Sequence, residues 1–164
     1  MRKEYDFAVL EHDNLRYVFR TAHSVFYEVR FKATPYLFEN KAEIADQIYE
    51  LVIERIKTPV TKVPPDILIP ITVAAICKDF FSHQQERILL YLCETADFKH
   101  TARAKKFDGW FREFNDSQFL KIDAQIPDTD VTHYLSLIFR WDHPYLQEII
   151  TEFKLLANNY GPDK

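Results

Sequence analysis

The chain contains only two glycines, Gly109 and Gly161, in 164 residues. Phosphate-binding loops of the P-loop and dinucleotide types need several closely spaced glycines, because the backbone must approach the phosphate closely. Two glycines so far apart cannot form either loop, which excludes the nucleotide-binding folds that depend on them. Positive backbone φ angles in the short connections at 12–14 and 22–24 must then use other residues, and we expect Asp, Asn and His to supply them.

Composition predicts one soluble globular domain over residues 1–164. Hydrophobic residues make up 47% of the chain and charged residues 28%, values that argue against disorder or a fibrous repeat. The formal net charge of −4 does not favour a protein that binds nucleic acid over its whole surface.

The longest apolar region, 67–77, is interrupted by Pro70 and Thr72 and is too short to span a bilayer. The first residues are charged and lack the apolar stretch of a secretory signal. Cys77 and Cys93 lie in apolar surroundings and show no disulfide pattern, so we expect buried free thiols. These features lead us to expect a cytoplasmic protein without a membrane segment.

Alternating polar and apolar residues predict a three-stranded meander in the first 32 residues. Val25, Tyr27, Val29 and Phe31 alternate with charged residues over 25–32, which is the period of a half-buried strand. The stretch at 15–20 alternates in the same way, and a weaker strand is expected at 5–11.

The rest of the chain alternates between helical and strand patterns. Apolar spacing of three and four residues predicts helices, and continuous or alternating apolar runs predict strands. The expected helices are 41–57, 70–82, 98–114 and 144–158, and the expected strands are 88–93, 118–126 and 133–141. The predicted class is α+β in the order βββααβαββα, with one mixed, largely antiparallel sheet of about six strands and about four helices mainly on one face.

Arg103 is the most informative charged residue, because it falls within the apolar face of the third helix. At about 100° per residue, Phe107, Trp110, Phe111 and Phe114 share one arc, and Arg103 lies inside it. A guanidinium in such a stripe needs a carboxylate, an aromatic ring or a ligand anion. Glu94 and Asp97 are the nearest carboxylates in sequence.

Three interpretations of Arg103 stay open: a structural ion pair, a site for an anionic ligand or acidic partner with Lys99 and Lys106 beside it, and a solvated side chain. A buried ion pair predicts that Arg103→Ala lowers the free energy of unfolding by roughly 2–4 kcal/mol, because a carboxylate loses its partner. A loss below about 0.5 kcal/mol in a denaturant titration would indicate a solvent-facing side chain.

The same helix carries a local excess of positive charge. Residues 99–112 contain five Lys or Arg and one Asp. Clustered cations of this kind can contact phosphates. The charges surround the helix instead of forming one stripe, so a nucleic-acid or nucleotide partner is the alternative hypothesis, and a solvated helix is favoured.

A second candidate site lies at the strand-to-helix junction formed by Arg140, Asp142 and His143. Asp142 or His143 is expected to cap the last helix, and the free N–H groups there favour anions. An acid–base pair of Asp142 and His143 is disfavoured, because adjacent residues rarely point at one place.

No catalytic, metal or cofactor site is predicted. The six histidines form no H-x-x-x-H or H-x-E pattern, there is no C-x-x-C, and neither Ser24 nor Ser82 lies in a nucleophile turn. Cys93 lies within an apolar strand, unlike an activated thiolate.

Three segments together resemble a family of small single-domain bacterial proteins of unknown function: LLYLCETADFKHTARAKKFDGWF, YVFRTAHSVFYEVRF and LSLIFRWDHPYLQEIITEF. The resemblance covers nearly the whole chain and implies no activity, cofactor or catalytic residue. The residues it emphasises are Asp97, Arg103, Phe107, Trp110 and Phe111.

The sequence therefore supports two hypotheses from different classes. The first is a non-enzymatic module that binds another protein, for example an operon partner, an inhibitor or a defence-associated factor, and homodimerisation stays open. Exposed aromatic residues near element ends would suit such an interface. The second is a nucleotide- or nucleic-acid-binding protein that uses the basic helix.

Overall fold

The computed structural model describes residues 3–10, 15–38, 41–57, 62–93, 100–128 and 131–159. These residues form seven strands, four α-helices and one 3-10 turn. The strands are β1 (Phe7–Val9), β2 (Arg16–Arg20), β3 (Phe26–Ala33), β4 (Ile48–Lys57), β5 (Ile88–Cys93), β6 (Phe119–Asp128) and β7 (Val131–Arg140). The helices are α1 (Ala42–Ala45), α2 (Leu68–His83), α3 (His100–Phe114) and α4 (Leu146–Asn159), and the 3-10 turn is Pro35–Phe38.

The described strands form one mixed sheet in the order β1-β2-β3-β4-β5-β7-β6. β4 and β5 are parallel, whereas the pairs β1–β2, β2–β3, β5–β7 and β6–β7 are antiparallel. The α+β class and the mixed sheet are confirmed. The expected count of about six strands is wrong, because the described residues contribute seven.

The predicted helix at 41–57 is also wrong. The structure has the single-turn helix α1 there, followed by the ten-residue strand β4, so the described order is βββαβαβαββα instead of βββααβαββα. Ile48, Val52, Ile53 and Ile56 are β-branched, which favours a strand. A strand with parallel pairing is often covered on both faces and loses its clean alternation, so it can imitate helical spacing.

The chain divides into two compact units. The first comprises residues 1–32 and 51–85. Its core joins the meander to α2: Tyr17, Val29 and Phe31 are buried, and the Phe31 ring stacks on Phe80 at 4.0 Å. Tyr17 also donates its hydroxyl to Asp79 at 2.5 Å. The predicted burial of the Val25–Phe31 face is confirmed.

The second unit comprises residues 33–50 and 86–164. Its sheet has two covered faces. The α4 face carries Leu90 and Leu137, which belong to one buried cluster with Ile149 and Phe153 of α4. Residues one position away point to the opposite face. That α3 face carries Tyr91, whose ring stacks on Phe107 of α3 at 3.8 Å. Within this unit α3 and α4 therefore lie on opposite faces, so α3 departs from the arrangement mainly on one face that the sequence predicts.

Because glycine is scarce, residues other than glycine adopt positive φ angles. Among the described residues, the positive φ angles occur at Ser24 (58°) and Ser117 (69°). Asp, Asn and His were expected in this role, and His12, Asp13 and Asn14 lie outside the described residues. At Ser24 the hydroxyl accepts a hydrogen bond from Arg20 at 2.8 Å, which ties the turn to its strand.

Candidate functional site

A cavity of about 310 Å³ lies in the second unit, on the α3 face of β6 and β7. Seven of its ten lining residues carry polar or charged side chains, in contrast to the apolar cluster on the α4 face. The lining residues from α3 include Lys105 and Asp108, those from β6 include Lys121, Asp123 and Gln125, and those from β7 include Tyr134 and Ser136. We call this set the polar pocket.

The alternation of β6 places these side chains on one face. Lys121, Asp123 and Gln125 are the odd-numbered polar residues of the strand, whereas Ile122 and Ala124 face the other way. Such a strand normally turns its polar side chains to water. Here Lys121 meets Asp108 of α3 and is buried, whereas Asp123 and Gln125 stay exposed.

Lys121 is the centre of the polar pocket. Its side chain is only 7% exposed. Its ammonium group donates to Oδ1 of Asp108 at 2.9 Å and to Oδ1 of Asp123 at 2.5 Å. Asp123 also accepts the hydroxyl proton of Ser136 at 2.6 Å. The cation is thus neutralised by two carboxylates, which join α3, β6 and β7 through side chains.

Within the network, Asp108 has a pKa shifted by its neighbours. The hydrogen bond from Lys121 lowers the pKa of Asp108 below its ordinary value, with smaller contributions from the charges of Lys121 and Arg112. The ammonium group of Lys121 donates to both carboxylates, and Ser136 donates to one of them, so the network fixes the positions of these side chains.

Strand β6 has one neighbouring strand, β7, in the described part of the sheet. The direction of its backbone groups follows from the hydrogen bond between Trp141 N–H and Gln118 C=O, at 3.1 Å. Hydrogen-bonded and non-hydrogen-bonded pairs alternate in an antiparallel ladder. Even-numbered residues of β6 therefore bond to β7, and odd-numbered residues direct N–H and C=O away from it.

Phe119 agrees with this assignment. Its N–H donates to Oδ1 of Asn115 at 3.3 Å, and its C=O accepts from Nδ2 of Asn115 at 3.2 Å. One side chain thus occupies the outward groups at the start of the strand. Lys121, Asp123 and Gln125 direct their outward groups to the open edge of the sheet, beside the polar pocket that their own side chains line.

The structure describes only part of the site predicted around Arg103. Arg103 lies in α3, as expected, but the structure does not describe its side chain. Glu94, Asp97 and Lys99 lie outside the described residues. Lys106 is exposed, and its ammonium lies over the Trp110 ring at 5.1 Å. The proposed roles of Arg103 as an ion-pair or anion-binding residue stay predictions.

The second predicted site, at the start of α4, is built as a structural junction. His143 is buried; its Nε2–H donates to the Glu86 carbonyl at 2.7 Å, and its Nδ1 accepts from Tyr145 N–H at 3.0 Å. This pattern requires the neutral tautomer with the proton on Nε2. The guanidinium of Arg140 donates to both carboxylate oxygens of Asp142, at 2.9 and 3.2 Å. His143 thus provides the cap that was expected from Asp142 or His143.

Sequence reasoning missed Lys121, Asp108, Asp123 and Ser136. The available signal was the alternation in β6, where lysine and aspartate sit two residues apart on one strand face. The pairing of that face with α3 is a tertiary contact, and no spacing rule within the sequence reveals it.

Within the described ranges, no group of three or more His, Cys, Asp or Glu side chains is arranged to hold a metal ion. None of the helices in that part of the chain combines the length and the apolar character needed to cross a bilayer.

Among the comparisons with known proteins, a family model of sequences is the one that matches the chain. No curated protein and no solved structure matches it. One family model, described as a family of unknown function, matches residues 66–155, which run from the start of α2 into α4 and include the polar pocket. Because the match covers more than half of the 164 residues, the chain belongs to this family, DUF6169.

Proposed function

We propose that the chain is a non-enzymatic protein-binding module that recognises an extended segment of its partner along the open edge of β6. The observation that carries the proposal is the outward direction of the backbone groups of Lys121, Asp123 and Gln125 in a ten-residue edge strand. An extended segment can pair with such groups and add one strand to the sheet.

The polar pocket gives the edge a means of selecting its partner. A strand that pairs with β6 projects every second side chain onto the α3 face, next to Lys121 and Asp123. In strand addition, the backbone bonds supply affinity and the adjacent pocket supplies specificity. The carboxylate of Asp123 is 56% exposed and can contact a polar side chain of the added segment.

Three groups that could take part in catalysis are occupied or inactive in the fold, which favours binding over catalysis. Both ring nitrogens of His143 are hydrogen-bonded within the fold. Burial raises the pKa of the Cys77 thiol to about 12, so this thiol stays protonated. Lys121 is held as a cation between two carboxylates.

Peptide selection tests the proposal directly. The chain is immobilised at low density, so that copies cannot pair, and is presented with a display library of random ten-residue peptides. Gln125→Pro removes one outward N–H at a position where the backbone does not bond to β7, and Gln125→Ala is the matched control that keeps the N–H. We expect enriched peptides to bind the wild type and Gln125→Ala equally, and Gln125→Pro about tenfold more weakly.

Two results would contradict the proposal. One is a selection that enriches no peptide while the chain also shows no association with itself. The other is a set of peptides that binds all three proteins equally, because the edge of β6 would then have no part in recognition.

The cytoplasm is the compartment that we propose for this module. Cys77 and Cys93 are both free thiols, and a reducing compartment maintains thiols in that state. Fractionation of cells that express a tagged full-length chain tests the assignment, and recovery outside the cytoplasmic fraction would contradict it.

A further inference from the structure

We propose that the partner at the β6 edge is a second copy of this chain, paired antiparallel to the first about a two-fold axis through Ile122. The inference rests on the proposed function and names the occupant of the same edge. It follows from the direction of the backbone groups, from the order of the charges along β6, and from Asn115 and Pro127, which limit the open edge at its two ends.

The direction of the backbone groups restricts the register. Only odd-numbered residues of β6 point outward, so an added β6 must also contribute odd-numbered residues to its hydrogen-bonded pairs. A two-fold axis at Ile122 meets this condition. It places Lys121 opposite Asp123 of the second copy, and Asp123 opposite Lys121 of the second copy.

The charges of β6 favour a two-fold axis at Ile122 over an axis at Lys121 or at Asp123. Directly opposed unlike charges stabilise an antiparallel pair, and like charges destabilise it. An axis at Lys121 would oppose two lysines, and an axis at Asp123 would oppose two aspartates. With the axis at Ile122, unlike charges face each other twice, and the half-exposed carboxylate of Asp123 is the group that reaches across.

The apolar side chains of β6 agree with the same register. On the α4 face, Ile122 meets Ile122 of the second copy, and Leu120 meets the small side chain of Ala124. Leu120 is 38% exposed in the single chain. Pairing about Ile122 covers it.

The open part of the edge has the length that this pairing uses. At one end, Asn115 occupies the outward groups of Phe119. At the other end, Pro127 lies at an odd-numbered position and has no backbone N–H to donate. Between these limits, Lys121 and Asp123 can form two hydrogen-bonded pairs with the second copy, one on each side of the axis.

Cysteine cross-linking tests the axis. Opposed residues in a non-hydrogen-bonded pair have Cα atoms about 4.5 Å apart, within the range that a disulfide spans. We expect Ile122→Cys to form a covalent dimer under mild oxidation with diamide. Leu120→Cys is the matched control on the same face, because two copies of residue 120 would lie about 13 Å apart. The wild type controls for Cys77 and Cys93.

Ile122 is partly buried, so a second pair of variants tests the same register at the exposed residues Asp123 and Gln125. Asp123→Lys places a lysine opposite Lys121 of the second copy, whereas Gln125→Lys introduces a lysine, with half the change in charge, where the opposite residue is Phe119. In sedimentation equilibrium we expect the wild type and Gln125→Lys to form dimers, and Asp123→Lys to associate at least about tenfold more weakly.

The results separate the two proposals. Cross-linking of Ile122→Cys, with the loss of dimers in Asp123→Lys, supports the two-fold pairing. A monomeric wild type whose β6 edge still selects peptides would overturn the pairing and leave the proposed function intact. A monomeric wild type that selects no peptide would overturn both. Equal cross-linking of Ile122→Cys and Leu120→Cys would also exclude this register.

Discussion

The side chain of Lys121 holds the polar pocket together, because its ammonium lies between the carboxylates of Asp108 and Asp123. In Lys121→Met the two carboxylates lose their common partner while the methionine fills similar space. The carboxylates are about half exposed, so water recovers part of the cost. We expect the free energy of unfolding to fall by about 1–2 kcal/mol in a urea titration.

Lys105→Met is the control for this substitution, since Lys105 lines the same cavity with an exposed side chain. We expect little change in its stability. If Lys121→Met were as stable as the wild type, the network would not stabilise the fold.

The stability difference between the wild type and Lys121→Met should also depend on pH. Lys121 lowers the pKa of Asp108 below the ordinary value of 3.8. A carboxyl with a depressed pKa stabilises the fold above its ordinary pKa, and this contribution is lost as the pH falls through the lower folded value. We therefore expect the difference to be largest near neutral pH and to shrink below pH 3.8. A difference that stays constant down to pH 2 would contradict this assignment.

At the residue scale, the sequence identified a charged helix face but not the cation that the structure places at the centre of the site. Arg103 stood out because it interrupts an aromatic stripe within one helix. Lys121 lies in a strand whose polar and apolar residues alternate regularly. It is buried because α3 covers the face of the sheet on which its side chain lies. Local periodicity reports such covering contacts poorly, because they join residues far apart in sequence.

At the element scale, His143 joins the start of α4 to the turn before β5. Its ring donates to the Glu86 carbonyl and accepts from Tyr145 N–H. In His143→Ala both groups lose the partner that the buried imidazole provides, so we expect the free energy of unfolding to fall by about 2–3 kcal/mol. Thermal and urea denaturation measure the change.

The adjacent Asp142→Ala is the matched control, because its carboxylate is exposed and pairs with Arg140 in the same turn. We expect no measurable loss of stability from that substitution. The reverse order of effects would mean that the carboxylate, and not the imidazole, fixes the helix start.

Elements that are buried on one face or fully apolar could be predicted from the sequence. The strand expected at 88–93 matches β5, and the helix expected at 70–82 lies within α2. The segment 41–57 could not be predicted in this way. Residues 48–50 of β4 pair parallel with β5, and β-branched residues continue along the strand. The spacing of these apolar residues alone does not separate a strand from a helix.

At the scale of the whole molecule, the charge distribution does not favour nucleic acid. The net charge is −4, and two of the described cations of α3 have partners within the helix: Lys106 lies over Trp110, and Arg112 lies 3.7 Å from Asp108. We expect no salt-dependent binding of a fluorescent single-stranded oligonucleotide at low or moderate salt. Binding that weakens steeply as salt rises would instead support the basic helix as a phosphate-binding surface.

Residue-resolved amide hydrogen exchange of the full chain, at low and high protein concentration, tests the role of the β6 edge most directly. The amides of Ile122 and Ala124 bond to β7 and should exchange slowly under both conditions, which makes them internal controls. The amides of Lys121 and Asp123 point outward, so they should exchange quickly in the dilute chain and become protected when a second strand pairs with the edge. Association that protects other amides while Lys121 and Asp123 still exchange quickly would contradict recognition through β6.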